Sequence, residues 1–341
     1  MKKILFIVCL VFIGLILLFK DPILAAKRYY LSSDQDKGRI QYNLGIEAHN
    51  KGNSLKALWH YNRAIKLFPN HANSYYSRGT LKNDMGDYQK ALADFNKSLE
   101  LNPKNGWAYN NRAHSKNNLG DYEGALQDAT RAIELDPNDP SPYNNRGIAK
   151  YNLKDYEGAI ADYDRSIELR PDHSKTFTNR GNAKEELGKY QEALADHTKA
   201  IELNPYNAGA YLNRALVKDA LKDYEGALAD YNHALTISPR FSMAYNNRGW
   251  TKNHMGRYQD ALSDFDRALR LNPRYAFAYG NRGFSNLKLG HYEESLADLN
   301  RALALGDTRE ETYRYQAEVK KRLEDSEGAT TDLTQVNESV N

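Results

Sequence analysis

A unit of thirty-four residues recurs eight times without a gap between residues 38 and 309. A fixed period of this length is the signature of a helical repeat array, in which each unit buries its apolar face by stacking on its neighbours. Most copies open on Tyr-Asn-Asn-Arg or a close variant, as at residues 109–112 and 245–248, and most close on a proline. The period therefore predicts an all-α fold and leaves no residues over for a catalytic domain. The repeats, numbered 1 to 8 in chain order, span residues 38–71, 72–105, 106–139, 140–173, 174–207, 208–241, 242–275 and 276–309.

Each repeat is predicted to be two short helices joined by a turn. In repeat 2 the pattern predicts a first helix from Ser74 to Met85 and a second helix from Tyr88 to Leu101. Pro103 then ends the second helix, because proline lacks the amide hydrogen and its ring clashes with the preceding turn. One position of the second helix is alanine in seven repeats and serine in the eighth, which predicts a face narrow enough for close helix packing.

The aromatic, glycine, alanine and proline positions of the repeat resemble those of the tetratricopeptide repeat family. In repeat 2 the matching residues are Tyr75, Gly79, Gly86, Tyr88, Ala91, Phe95, Ser98 and Pro103. The resemblance implies an all-α, right-handed superhelical solenoid of antiparallel helix pairs. To this the sequence adds a single N-terminal hydrophobic helix. Residues 310–336 repeat the pattern weakly and are predicted to form a degenerate repeat or helical cap, followed by a tail at residues 337–341.

Seven repeats depart from the family by carrying Arg where Leu is usual: Arg78, Arg112, Arg146, Arg180, Arg214, Arg248 and Arg282. Each of these repeats also has an Asp sixteen residues later, whereas repeat 1 has Leu44 and His60 at the two positions. Because the two residues change together, we expect each Arg to pair with the Asp of its own repeat across the helix hairpin. A formal net charge of +3, with Asp matching Arg in number, argues against a nucleic-acid partner.

The N-terminus differs in composition from the repeats. Two lysines precede an apolar run at residues 4–19, and a possible cleavage site ends at Ala26, so residues 1–26 are predicted to be a signal anchor or a signal peptide. Residues 27–37 are predicted to be a linker. The charged pair after the run is unusual for a cleaved signal, so we favour a single-pass anchor with the repeats on the extracytoplasmic side. Cleavage near Ala26 would instead give a secreted or periplasmic protein.

Motifs that carry chemistry are not found in the sequence. It has no phosphate-binding glycine loop, no His-Glu-x-x-His and no calcium-loop spacing, and the single cysteine, Cys9, lies in the apolar run. We therefore expect no catalytic residues, no metal, no cofactor and no small-molecule substrate. The sequence predicts a protein that is not an enzyme.

The position before the Arg is Asn in seven of the eight repeats, with Ser77 of repeat 2 as the exception, and it is predicted to form an asparagine ladder on the first helices. In the tetratricopeptide family this position faces the concave groove, and a similar ladder in glycosyltransferases that add N-acetylglucosamine to Ser and Thr holds an extended peptide by its backbone. The ladder residues taken as peptide-binding are Asn111, Asn145, Asn179, Asn213, Asn247 and Asn281. A carboxamide both donates and accepts, so it can bind a peptide group without reading its side chain. Alternatively, the asparagines bond neighbouring helices and stiffen the stack.

Four apolar residues on the same face are predicted to anchor a partner in repeats 7 and 8: Met243, Trp250, Phe277 and Phe284. The alternative is that these residues pack on each other or on the cap. The family's basic clamp for a terminal carboxylate is not matched, since Lys175 is the one cation found at the required positions.

The predicted function is a non-catalytic interaction scaffold, membrane-tethered or exported, that binds extended peptide segments of a partner protein. The alternative is an accessory, substrate-presenting subunit of a separate enzyme such as a glycosyltransferase or polysaccharide synthase.

Overall fold

The computed structural model describes residues 33–323, which contain seventeen α-helices and no strand. Two compact halves divide the chain, an N-terminal half up to Asp155 and a C-terminal half from Tyr156, so the boundary lies inside repeat 4. The N-terminal half holds α1 (Asp34–Asn50), α2 (Ser54–Leu67), α3 (Ala72–Asp84), α4 (Tyr88–Leu101), α5 (Gly106–Leu119), α6 (Tyr122–Leu135) and α7 (Pro140–Asn152). The C-terminal half holds α8 (Tyr156–Leu169), α9 (Ser174–Glu186), α10 (Tyr190–Leu203), α11 (Ala208–Ala220), α12 (Tyr224–Ile237), α13 (Ser242–His254), α14 (Tyr258–Leu271), α15 (Ala276–Leu289), α16 (Tyr292–Ala304) and α17 (Glu310–Arg322).

The predicted N-terminal segment, the first part of the predicted linker, the end of the predicted cap and the tail lie outside the described residues. No helix between residues 33 and 323 is long and apolar enough to cross a membrane. The helix α1 begins at Asp34, four residues before repeat 1, because Ser33 caps it by accepting a hydrogen bond from the Asp36 amide. Two acidic residues in its first turn, Asp34 and Asp36, also favour a helix there.

Within each half the repeats are helix hairpins, as predicted. The first helix of repeat 2 starts at Ala72, two residues before the predicted start, and its second helix matches the predicted bounds. Gly86 makes the turn with φ of +78°, a left-handed conformation that glycine adopts without a Cβ clash. In repeats 4 and 6 this glycine is replaced by Lys154 and Lys222, which adopt the same left-handed conformation, so the turn is conserved without glycine.

Close packing inside the hairpins depends on small residues, as the sequence predicts. In repeat 2 a Cβ built on Gly79 would lie 2.8 Å from the ring of Phe95, which is fully buried. Gly249 faces Phe265 in the same way in repeat 7, at 2.7 Å. The alanine position of the second helix, and the serine of repeat 8, are fully buried at Ala57, Ala91, Ala125, Ala159, Ala193, Ala227, Ala261 and Ser295. The first helix is thereby held against the second, with its opposite face open.

The predicted arginine–aspartate pairs form within both halves. In each, Arg Nε donates to Asp Oδ2 at 2.7–3.0 Å and Arg Nη2 to Asp Oδ1 at 2.5–2.7 Å. The pairs are Arg78–Asp94, Arg112–Asp128, Arg180–Asp196, Arg214–Asp230, Arg248–Asp264 and Arg282–Asp298. The hypothesis drawn from the covariation is confirmed for these six, while Arg146 and Asp162 belong to different halves.

The same arginines also reach backwards along the array. The Nη1 group donates to a polar residue sixteen positions earlier, on the second helix of the preceding repeat, as in Arg248 to Asn232 at 2.6 Å. The guanidinium lies over the aromatic ring three residues before it, with Arg248 Cζ 5.4 Å from the centroid of Tyr245. Hydrogen bonding to the paired carboxylate raises the pKa of the Arg214 guanidinium. Each arginine therefore joins its own hairpin to the previous one.

Candidate functional site

The asparagine ladder lies on the first helices, at α5 and α7 in the N-terminal half and at α9, α11, α13 and α15 in the C-terminal half. Four ladder side chains donate through Nδ2 to the preceding first helix: Asn111 to Thr80 at 3.1 Å, Asn145 to Asn110 at 2.8 Å, Asn213 to Asn182 at 2.9 Å and Asn281 to Asn246 at 3.0 Å. Asn247 accepts from Asn246 at 3.0 Å, and Asn179 is half-buried on α9.

The four bonds to a preceding first helix are the stacking bonds that the alternative interpretation of the ladder requires. A carboxamide has two N–H donors and an acceptor oxygen, so one inter-helix bond leaves it capacity for a second partner. Asn145 is the one buried residue of the ladder, at 7% exposure, so its remaining groups are out of reach of a ligand. Four of the six ladder residues therefore join neighbouring first helices, and the use of the ladder in peptide binding stays a prediction.

Trp250 lines two pockets on the first-helix face of the C-terminal half, the face formed by α11, α13, α15 and the terminal helix α17. One pocket has a volume of about 410 Å³ and is lined by Trp250, His254, Phe284 and Tyr315 among others. The other, of about 440 Å³, lies on the side of Leu216 and is also lined by Trp250. The indole packs on His254, with ring centroids 3.6 Å apart and ring planes tilted by 34°.

Arg309 lines both pockets, and Phe277 lines the second one beside it. Phe277 is 46% exposed, and the Arg309 guanidinium lies 4.6 Å from the centroid of its ring. Arg309 also donates to Asn281 Oδ1 at 3.1 Å and to both oxygens of Asp307, at 2.9 and 2.7 Å. Burial alone would raise the pKa of Asp307, but the hydrogen bonds and charge of Arg309 lower it overall. A cation is thus fixed at the site by a buried carboxylate.

Phe284 and Met243, the other two predicted anchors, differ in how far their side chains are covered. Phe284 is half-buried and packs on Tyr315 of α17, with ring centroids 4.6 Å apart, and Lys288 lies 5.3 Å above its ring. This is the contact with the cap that the alternative interpretation anticipates. Met243 is 45% exposed on α13. The structure therefore brings Trp250, Phe277 and Phe284 together around Arg309, while Met243 does not line either pocket.

Asp219 lies at the floor of the second pocket. It is 6% exposed and accepts hydrogen bonds from Tyr231 OH at 2.6 Å and from Thr251 Oγ1 at 2.9 Å. Burial raises the pKa of this carboxyl. In repeat 7 the same position is Asn253, which donates to the Asn281 carbonyl at 3.3 Å. A carboxyl therefore replaces a carboxamide at one inter-helix contact beside the pocket.

Sequence reasoning missed three residues that shape the surface. Arg309 ends repeat 8, where the other repeats carry His, Asn, Asp or an aromatic residue, and it follows the Asp307 that replaces the usual proline. Asp219 departs from the Asn found there in repeats 2, 3 and 7. In the N-terminal half, Trp107 is 65% exposed and lines a pocket of about 410 Å³ with Tyr42 and Tyr76. Trp107 has the same position in its repeat as Met243 and Phe277, so this shared position could have identified it from the sequence.

Family models place these helix pairs in a known class. Models described as tetratricopeptide repeat match residues 72–105, 106–139, 140–173, 174–207 and 242–275, and another of the same description matches residues 208–241. These matches are consecutive and keep the register predicted from the sequence. The chain belongs to the tetratricopeptide repeat family. Its described residues consist of repeats and a terminal helix, an architecture typical of non-catalytic interaction scaffolds.

Solved structures share the fold at low sequence identity. A tetratricopeptide repeat protein from Parabacteroides merdae has a TM-score of 0.57 at 21% identity, covering 73% of this chain and 98% of the other. The pilF protein of Pseudomonas aeruginosa has a TM-score of 0.53 at 20% identity, covering 59% and 92%. A chain of the APC/C hetero-tetramer Cut9–Hcn1 has a TM-score of 0.60 at 16% identity, covering 88% and 72%. Among curated proteins, none matches the sequence.

Proposed function

We propose that this protein is a membrane-tethered interaction scaffold that binds an extended peptide segment of a partner protein on the first-helix face of its C-terminal half. The observation that carries the proposal is that Trp250 lines both of two pockets, of about 410 and 440 Å³. Pockets of this size suit one large side chain each. Aromatic residues left open at a groove are common anchors of interaction hot spots.

The chemistry of the two pockets favours a peptide with two apolar side chains. Trp250, Phe277 and Phe284 supply apolar walls, and the Arg309 guanidinium stands between the pockets, where it can donate to a peptide carbonyl or an acidic side chain. An extended chain advances about 3.3 Å per residue and points alternate side chains to opposite faces. Residues two apart in the ligand would therefore enter neighbouring pockets, while the Asn247 carboxamide contacts the backbone between them.

The tether is proposed from the first twenty-six residues. Lysines at positions 2 and 3, followed by the apolar run at residues 4–19, favour a segment held in the membrane with its N-terminus on the cytoplasmic side. This orientation puts the repeats on the extracytoplasmic side. Extraction of native membranes with alkaline carbonate tests the tether, because an anchored chain stays in the pellet and a released chain does not.

The peptide site is tested by crosslinking and affinity capture from native membranes with the full chain. We expect Trp250→Ala together with Phe277→Ala to lose a partner that the unaltered chain retains, because both pockets lose a wall. Trp107→Ala is the matched control, since it removes an exposed Trp from the pocket of the N-terminal half. Retention of every partner by a folded double variant, shown by unchanged circular dichroism and melting, would contradict the proposed site.

A further inference from the structure

The outer face of α2, in repeat 1, is apolar and basic. Leu55 is 76% exposed and Trp59 is 54% exposed, one turn apart on the same side of the helix. Three cations, Lys56, Arg63 and Lys66, are also exposed on α2. The helix contains no Asp or Glu, whereas the other second helices each contain at least two.

The other repeats show that this face is not a requirement of the fold. Where repeat 1 has Leu55, they carry Gln or Glu: Gln89, Glu123, Glu157, Gln191, Glu225, Gln259 and Glu293. Where it has Trp59, they carry Ala, Ser or Gln: Ala93, Gln127, Ala161, Ala195, Ala229, Ser263 and Ala297. Seven copies of the same helix thus fold with a polar or small outer face. The two large apolar residues of repeat 1 therefore serve something other than packing within the repeat.

Arg63 of α2 also lacks the acidic neighbour that its equivalents in repeats 2 to 5 have. In repeats 2 to 5 the cation equivalent to Arg63 pairs with a Glu three residues later: Lys97–Glu100 at 2.6 Å, Arg131–Glu134 at 2.6 Å, Arg165–Glu168 at 2.9 Å and Lys199–Glu202 at 3.0 Å. In repeat 1 that Glu is replaced by Lys66. Arg63 instead lies over the indole of Trp59, with Cζ 5.3 Å from the ring centroid.

We propose that this face of α2 docks on the surface of an anionic lipid bilayer. Trp and Leu enter the boundary between headgroups and acyl chains, and Lys or Arg around them attract anionic headgroups. Lys56, Arg63 and Lys66 supply that charge around Leu55 and Trp59. The proposal rests on the membrane location of the proposed function, and it assigns a second surface, in the N-terminal half, that is separate from the peptide site.

The chain length between the apolar run and α1 allows this docking. Fourteen residues separate Phe19 from Asp34, and they can span at most about 50 Å when extended. A chain held in the bilayer by residues 4–19 therefore keeps α2 within reach of headgroups. Docking would fix repeat 1 against the membrane and set the direction in which the following repeats leave it.

The experiment uses the fluorescence of Trp59 in the full chain reconstituted into vesicles. Trp107→Phe and Trp250→Phe leave Trp59 as the single Trp, and brominated acyl chains quench an indole that enters the bilayer. We expect strong quenching in phosphatidylcholine vesicles containing phosphatidylglycerol, and much less in phosphatidylcholine alone or at high salt. The matched control keeps Trp107 instead, through Trp59→Phe and Trp250→Phe, and should not be quenched although Trp107 is 65% exposed.

A charge variant separates docking from the tether. Lys66→Glu restores the residue that repeats 2 to 5 carry and allows the ordinary pair with Arg63, so the helix should fold. It changes the charge of the face by two units, and docking should weaken by about fivefold per unit of charge. Flotation of the vesicles, read in the same samples, reports the tether independently.

Each outcome decides one of the two proposals. Quenching of Trp59 that is lost in Lys66→Glu, with flotation unchanged, supports docking. Flotation without quenching of Trp59 overturns docking and leaves the tether standing, and a protein partner would then be the occupant of the face. Equal quenching of Trp59 and Trp107 also overturns it. If the chain does not float with neutral vesicles, the tether fails, and binding to added anionic vesicles still decides docking.

Discussion

Replacing Arg248 tests the interaction that recurs most regularly in this array. Arg248→Met keeps a straight aliphatic side chain but removes the two bonds to Asp264, at 3.0 and 2.5 Å, and the bond to Asn232 at 2.6 Å. The side chains of Arg248 and Asp264 are 20% and 3% exposed, so the pair is largely shielded from water. Breaking a buried ion pair by removing one partner costs about 3–5 kcal/mol.

The expected cost of Arg248→Met lies below that range, because Lys252 still contacts Asp264 at 2.7 Å and keeps the carboxylate paired. We expect a loss of about 2–3 kcal/mol in the free energy of unfolding. Asp264→Leu should cost more, about 3–5 kcal/mol, since it removes the carboxylate that Arg248 and Lys252 share and leaves two cations side by side. The double variant should recover at least about 1.5 kcal/mol of the summed loss.

Hydrogen exchange of the α13 and α14 amides in the full chain is the suitable measurement, because a repeat array can open one hairpin at a time. The control is Arg257→Met, which removes a surface pair with Asp260 whose side chains are 45% and 53% exposed. It should change protection by no more than about 0.5 kcal/mol. The reasoning would be refuted if the free-energy changes of the two single variants simply added up in the double variant. Equal effects of Arg248→Met and Arg257→Met would refute it as well.

Two further outcomes follow from the packing and the buried carboxyl. Gly249→Ala should destabilise repeat 7 by about 1–3 kcal/mol, because its Cβ would lie 2.7 Å from the Phe265 ring. Gly106→Ala should be tolerated, because its Cβ would have no contact under 3.5 Å. Thermal melting of the two variants compares these effects. Burial raises the pKa of Asp219 above 3.8, so the folded state retains a proton that the unfolded state has lost, and stability should fall as pH rises through the folded pKa. Asp219→Asn should remove that slope from urea unfolding measured across the acidic range.

Much of the fold could be predicted because the sequence repeats. The period set the helix pairs and their bounds, and repeat 1 acted as an internal control: Leu44 and His60 replace Arg and Asp together, which revealed the pairing. The backward bond of each Arg was not predicted. Its acceptor varies among Asn, Thr and Asp and lies in another repeat, so no single residue type marks it.

The candidate site was less predictable, for two physical reasons. The pattern located the ladder asparagines, but it could not show that Asn281 Nδ2 turns towards Asn246 and not towards an incoming peptide. The end of repeat 8 and the cap depart from the repeat pattern, so nothing periodic indicated that Arg309 would cover Phe277 or that Tyr315 would cover Phe284. Side-chain direction and non-repeating ends are where a period carries no information.

The backward bond gives the array a polarity that bears on how it can grow. An inserted internal copy of a repeat brings an Arg that can donate to the preceding repeat. It also brings an acceptor on its second helix for the Arg of the next repeat. A copy added before repeat 1 would instead face Leu44, which has no guanidinium to donate to the acceptor on the second helix of that copy. Beyond repeat 8, Gln316 still reaches Asn300 with its amide, so the terminal helix keeps the connection in a weaker, neutral form. Duplication of an internal repeat therefore preserves this chain of bonds, whereas a copy placed before repeat 1 would leave its acceptor unused.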